Sequence, residues 1–176
     1  MTGGWQHPSV WHFLGYAGEL LGGKKGFLGH NPALFLLTVA LVVLVRRRLS
    51  EWPELLLTFF WSAGTWLAYG ATSNNASGLC CSIRWFVPLL AAGYFVLAVL
   101  LREEPRYRAD FLLLSASGVV VAFFTAWYGP WMKHMVPLYW PIQAGLLLSW
   151  GALAIARRRR RAVEYIAQPC HLADAA

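Results

Sequence analysis

Histidine offers the widest chemistry in this chain, because an imidazole nitrogen can ligate zinc, copper or the metal of a pigment. Four of the five histidines fall on one face of the topology predicted below: His7, His12, His30 and His134. No two of them stand three or four residues apart on a predicted helix, and no cysteine or carboxylate accompanies them at ligand spacing. The sequence therefore predicts no metal site. His12, His30 and His134 stay candidates for contact with a partner or a pigment.

A second group of residues could hold a phosphate or a lipid headgroup. Arg84 begins an apolar stretch, where its guanidinium could bind a lipid phosphate through two hydrogen bonds. Trp85 follows it directly, and Lys133 lies in another short polar segment of the same predicted face. We therefore expect bound lipid near these residues. An arginine that only anchors a helix end at the membrane surface would give the same pattern.

The acidic residues are informative by their placement. All eight lie at the ends of apolar stretches, in loops or in tails. Transporters, pumps and channels usually carry ionisable residues inside the helix bundle, where function offsets their energetic cost. The pattern argues against transport of a charged solute and leaves passage of a neutral solute as a lesser alternative.

The elements that must position these residues are membrane helices. The chain is 58% hydrophobic and 13% charged, with ten tryptophans in 176 residues, which is far from soluble usage. Five apolar stretches approach the roughly 20 residues that cross about 30 Å of hydrocarbon, and they cover 27–45, 53–69, 85–101, 111–128 and 137–156. The predicted fold is all-α, an integral membrane bundle of five transmembrane helices. The net charge of +7 is then explained by loops at the membrane surface, and no nucleic-acid partner is expected.

Arginine clusters orient this bundle. Eleven of the fifteen Lys and Arg residues follow the first, third and fifth stretches, at 46–48, 102–108 and 157–161. Because cytoplasmic loops are enriched in Lys and Arg, we predict an outside N-terminus and a cytoplasmic C-terminus in a bacterial inner or intracytoplasmic membrane. The predicted parts are an outer tail over 1–26, a transmembrane domain over 27–156 and a basic cytoplasmic tail over 157–176. Residues 10–21 of the outer tail predict either a short interfacial helix or an irregular segment ordered by a partner.

Aromatic residues concentrate at the predicted outer ends of the spans. They are Trp66, Tyr69, Trp85, Trp127, Tyr128, Trp131, Tyr139 and Trp140. An aromatic belt at the headgroup level explains such a pattern, and a surface that docks a protein, lipid or pigment is the alternative. Trp66, Trp127, Trp131 and Trp140 are the candidates for that contact.

Two segments carry a resemblance to a known class. GKKGFLGHNPALFLL and SNNASGLCCSIRWFVPLL resemble the C-terminal part of bacterial multi-spanning membrane proteins of the GT-C glycosyltransferase-like class. Gly26, Phe27 and Pro32 match the turn that enters a helix in that class, and Arg84 with Trp85 ends the matching outer loop. The resemblance spans about 24–140 and implies a helical membrane fold related to lipid-linked sugar transfer.

The same resemblance lacks the catalytic half. Members of the class carry a catalytic carboxylate in the first outer loop, whereas Glu19 is the sole acid on the predicted outer face of this chain. Sugar transfer then has no base. The sequence favours a non-catalytic subunit that packs within a larger membrane complex, with respiratory or photosynthetic assemblies as candidate hosts and pigment contact possible. Half of a lipid-linked sugar transferase is the alternative. Expected partners are membrane lipids and other integral membrane proteins.

Overall fold

The computed structural model describes residues 5–47, 49–75, 82–129 and 136–167, with side chains of the last helix described through Arg157 and at Arg159. Every regular element in these ranges is helical, which confirms the predicted all-α class. The α-helices are α1 Val10–Gly22, α2 Phe27–His30, α3 Leu36–Arg46, α4 Trp52–Thr72, α5 Leu89–Glu103, α6 Arg108–Tyr128 and α7 Tyr139–Ala167. Short 3₁₀ turns cover Pro32–Phe35, Arg84–Phe86 and Pro105–Tyr107.

Two helical segments are long and apolar enough to cross a membrane. Pro105–Tyr128 has 24 residues and a mean hydropathy of 1.9, and Tyr139–Arg157 has 19 residues and a mean hydropathy of 1.2. They coincide with the fourth and fifth predicted spans. A bent pair, Val10–His30 with Pro32–Arg46, adds a third if it counts as one span. The chain is thus suited to a membrane by two or three of its helices, and the full set of five crossings stays a prediction.

The first predicted span, 27–45, is not one continuous helix. α2 ends at His30, and the helical path bends by 117° before it resumes at Pro32. The cause is local, because a residue before proline is disfavoured in the α region, and Asn31 adopts φ −131° and ψ 66°. The Asn31 side-chain amide donates to the Phe27 carbonyl at 2.8 Å and stabilises the break. The part of this predicted span that leads to Arg46 is therefore the shorter segment Pro32–Arg46.

The buried core lies where α5 and α6 meet the turn that precedes α3. Leu34, Leu36, Phe86, Leu100 and Leu114 are almost inaccessible to solvent. The approach of α5 to this turn depends on a glycine, since a Cβ on Gly93 would lie 2.8 Å from Leu34 Cδ2. α3 packs against α5, α1 against α4, and α7 against α6.

Both segments that were predicted as tails contain helix. Residues 10–21 form helix α1, so the helical alternative is the correct one, and its place at a membrane surface stays a prediction. Helix α7 continues past the predicted domain boundary at residue 157 as far as Ala167. The predicted loop residues 76–81 and 130–135 lie outside the described ranges.

Candidate functional site

The three arginine clusters meet at one end of the bundle, hereafter the arginine end. Arg47 on the α3–α4 loop pairs with Glu104 at 2.5 Å, and Arg106 pairs with the same carboxylate at 2.9 Å. Arg102 reaches Glu51 at 2.7 Å. The loops after α3 and α5 are therefore joined directly, as the prediction of a shared face requires. The arginine side chains of these pairs are exposed and the glutamates are partly buried, so each pair contributes little to stability.

Glu51 accepts hydrogen bonds from two side chains at this end, Ser50 at 2.8 Å and Arg102 at 2.7 Å. The hydrogen bond from the Ser50 hydroxyl, and to a smaller extent that from the Arg102 guanidinium, lowers the pKa of the Glu51 carboxyl below its ordinary value. The same contact raises the pKa of Arg102. Because the folded-state pKa of Glu51 is depressed, the contribution of this contact to stability is present above the ordinary pKa of glutamate and is lost as pH falls.

A buried ion pair ties α6 to α7 near the arginine end. Asp110 is 1% exposed, and both of its oxygens accept hydrogen bonds from the Arg157 guanidinium. The Trp150 indole nitrogen donates to the same carboxylate at 2.7 Å. The guanidinium also donates to the Arg106 carbonyl at 3.2 Å, which joins it to the loop before α6. Arg157 therefore acts as a structural residue as well as a member of an orienting cluster.

The opposite end, hereafter the aromatic end, is closed by a corner in which α7 packs against α2. The Tyr139 hydroxyl donates to the Gly23 carbonyl at 3.0 Å, and the buried Gln143 amide donates to the Gly29 carbonyl at 2.7 Å. His30 stacks on Tyr139 with ring centroids 5.5 Å apart. A Cβ on Gly29 would lie 1.8 Å from the Tyr139 hydroxyl oxygen, so this close approach requires glycine. The Tyr139 hydroxyl and the Gln143 amide of this corner are thus hydrogen-bonded within the chain, and they join α7 to the segment around α2.

A second joint holds α1 against the end of α4. His7 is buried, and its Nε2 lies 2.5 Å from the Gly70 carbonyl oxygen. A carbonyl can only accept, so Nε2 carries the hydrogen of this bond. The Nδ1 atoms of His7 and His12 lie 3.2 Å apart, within hydrogen-bond distance. The Trp66 indole donates to the Ala17 carbonyl at 2.9 Å. These contacts fix the N-terminal helix on the bundle.

Of the residues predicted to contact lipid, Trp85 is packed against its neighbours and Arg84 is exposed. Trp85 is half-buried and stacks on Tyr69 at 5.2 Å with nearly parallel rings. Ile83 and Phe86 on either side are buried and hold the short Arg84–Phe86 turn in place. Arg84 itself is exposed at the aromatic end. Its binding of a lipid phosphate stays a prediction, and Lys133 lies outside the described residues.

The predicted partner or pigment contacts fall into three groups. Trp127 is 74% exposed and Trp140 is 52% exposed, so both rings face outward. Trp66 and His12 use ring nitrogens within the chain, as described above, although His12 remains exposed. The Nε2 atom of His30 lies 2.9 Å from the Lys24 carbonyl oxygen. Trp131 and His134 lie outside the described residues. No single site gathers these residues within the described part of the chain.

Within the described ranges no three His, Cys, Asp or Glu residues come together as a metal site would require. The functional features that sequence reasoning missed are Asp110 and His7, which are buried polar residues at helix joints. Asp110 directly precedes a predicted span, and Trp150 and Arg157 stand seven residues apart on one face of α7, which is the signal that could have revealed their contact.

Comparison with protein-family models, with curated proteins and with solved structures finds no match to this chain.

Proposed function

We propose that this chain is a non-catalytic integral membrane subunit that packs against other membrane proteins in a larger complex. The observation that carries the proposal is an unfilled packing face on α4. Gly64 and Ala68 are exposed one turn apart, and no atom lies within 4 Å of a Cβ built on Gly64. Small residues at this spacing let two membrane helices approach closely.

Large apolar residues lie on the same face of α4 as Gly64 and Ala68, a pair hereafter called the Gly64 notch. Leu57 is 70% exposed and Trp61 is 60% exposed on the same side of α4. A partner helix laid on Gly64 and Ala68 would contact both side chains. Packing of helices in a membrane depends on such van der Waals contact, because lipid tails are as apolar as the side chains.

The two helical segments that are long and apolar enough to cross a membrane support the same role. Each buries 17% of its apolar window within the chain. On α6 the outward residues Leu112, Val119, Phe123 and Trp127 repeat at helical spacing and share one face. A small bundle with this much uncovered apolar surface suits a component of an assembly, with lipid covering what protein leaves free.

The proposal includes five crossings with the arginine end in the cytoplasm of a bacterial inner membrane. α4 has 21 residues, or about 31 Å of helix, which matches the hydrocarbon thickness. α5 has 15 residues, or about 22 Å, so it needs the preceding turn or local thinning of the bilayer. The ion pairs at the arginine end support a shared side for the two loops.

Topology is tested by labelling single cysteines with a membrane-impermeant maleimide in intact cells. In a chain whose native cysteines are replaced by serine, Gly15→Cys should react at once and Ser50→Cys only after permeabilisation. Reaction of both in intact cells, or of Ser50→Cys alone, contradicts the proposed orientation.

The subunit role is tested by purification from native membranes in mild detergent, followed by mass spectrometry. We expect other membrane proteins to be retained at a fixed ratio with the unmodified chain and lost with Gly64→Leu. Gly151→Leu is the matched control, because Gly151 is an exposed helical glycine of α7 with open space beside it. A chain that emerges alone and monomeric overturns the proposal. A co-purifying protein with an acidic outer loop would favour the sugar-transferase alternative, and pigment-binding polypeptides would identify a photosynthetic host.

A further inference from the structure

An apolar groove runs between α3 and α4, and the proposed subunit role leaves it unused. It encloses about 480 Å³. Leu41 and Leu44 form one wall, Leu56 and Phe59 form the other, and Val96 of α5 contributes to its floor. The groove lies beside the Gly64 notch on α4 and does not include it.

The lining of the groove selects an apolar occupant. Its two threonines turn their hydroxyls back to the backbone, since Thr38 donates to Phe35 and Thr58 donates to Glu54, each at 2.7 Å. Hydrocarbon therefore forms nearly all of the wall. A ligand with buried polar groups would find few partners here.

The length of the groove suits a hydrocarbon chain. Along α3 the lining runs from Leu37 to Val45, which is about 12 Å. The length is close to one leaflet of a bilayer whose hydrocarbon core is about 30 Å thick.

One end of the groove lies at the membrane surface of the arginine end. Val45 and Trp52 line that end, and the half-buried Trp52 ring sits where indoles favour the headgroup level. Arg46 follows Val45, is exposed and forms no ion pair with any described residue. A positive charge at this level favours an anionic headgroup.

We propose that the groove binds an acyl chain of an anionic phospholipid from the leaflet at the arginine end. The inference rests on the membrane setting proposed above and is independent of any protein partner. The bound chain would fill the space between α3 and α4 and stabilise their separation.

The test uses the purified full chain in nanodiscs of phosphatidylglycerol or phosphatidylcholine, released and weighed by native mass spectrometry. We expect a retained phosphatidylglycerol that Leu56→Trp, which fills the groove, reduces about tenfold, equivalent to the burial of roughly two methylenes. Val42→Trp is the matched control, because Val42 is exposed on α3 next to Leu41 and lies outside the lining. Arg46→Gln should reduce the preference for phosphatidylglycerol over phosphatidylcholine.

Three outcomes would overturn the inference: no retained lipid, equal retention by Leu56→Trp and Val42→Trp, or cross-linking of a co-purified helix at Leu41. Ser62→Phe provides a second groove-filling variant in case Leu56→Trp does not fold, as judged by circular dichroism. Loss of partners in Gly64→Leu leaves this result unaffected, so failure of the subunit role and failure of the lipid site are distinguishable.

Discussion

Replacement of Arg157 by methionine should destabilise the α6–α7 pair strongly. The change leaves the Asp110 carboxylate, 1% exposed, with the Trp150 indole as its remaining side-chain partner among the described residues. Breaking a buried pair by removing one partner costs about 3–5 kcal/mol. The Arg157 side chain is 25% exposed, so water relieves part of the loss and we expect about 3 kcal/mol.

For a chain of this size the expected loss corresponds to a fall in Tm of about 6–12 °C. The assay is thermal unfolding in detergent, followed by far-ultraviolet circular dichroism. Arg159→Met is the control, because Arg159 is exposed on the same helix, and it should change stability by less than about 0.5 kcal/mol.

The double variant Asp110→Leu with Arg157→Met separates a charge effect from a packing effect. Replacing both members of a buried pair by apolar residues is often neutral, so this variant should recover most of the Tm lost by Arg157→Met. Two results would refute the reasoning: equal effects of Arg157→Met and Arg159→Met, or a double variant no more stable than Arg157→Met.

Three further predictions concern other joints. Gly29→Ala should cost about 2–3 kcal/mol through overpacking, and Tyr139→Phe should restore part of that loss, both measured by thermal unfolding. Ser9→Ala should cost about 1 kcal/mol and speed hydrogen exchange in the first turn of α1, because the Ser9 hydroxyl accepts from the His12 amide. The carboxyl of Glu51 should titrate below an ordinary glutamate by NMR and move upward in Arg102→Gln, since their contact lowers its pKa.

Each of these predictions has a contrary outcome. Gly15→Ala is the control for Gly29→Ala, because open space surrounds Gly15. Equal stability of the two alanine variants would show that Tyr139 does not closely approach Gly29. Unchanged exchange in Ser9→Ala would remove the capping role. If the pKa of Glu51 is unchanged in Arg102→Gln, the two side chains do not contact each other in solution.

Long apolar runs let the sequence predict α4 and α6 close to their observed bounds, and the start of α7 to within two residues. The break at Asn31 was missed because hydropathy summed along 27–45 outweighed the local Asn–Pro signal. The helical continuation to Ala167 was missed because five consecutive arginines indicate a basic tail as readily as a helix.

The joints could not be predicted, since each depends on residues far apart in the chain. Asp110 looked like one more acid at a span end, and its partner lies 47 residues later. His7 meets the Gly70 carbonyl, 63 residues away. Such contacts follow from which helices pack together, and composition and spacing do not determine that. By contrast, the shared end of the arginine clusters could be predicted from the positions of the charges and the order of the apolar stretches alone.

The corner between α2 and α7 also constrains the order in which the chain can assemble. Gly29 and Gln143 are 114 residues apart, so at about 5–20 residues per second the ribosome needs roughly 6–23 s to supply the second after the first. Throughout that interval the glycine-rich corner lacks its closing helix, even once α3 to α6 have been synthesised. Insertion machinery or a chaperone would meet the nascent chain in this open form, and arrival of α7 would complete the bundle.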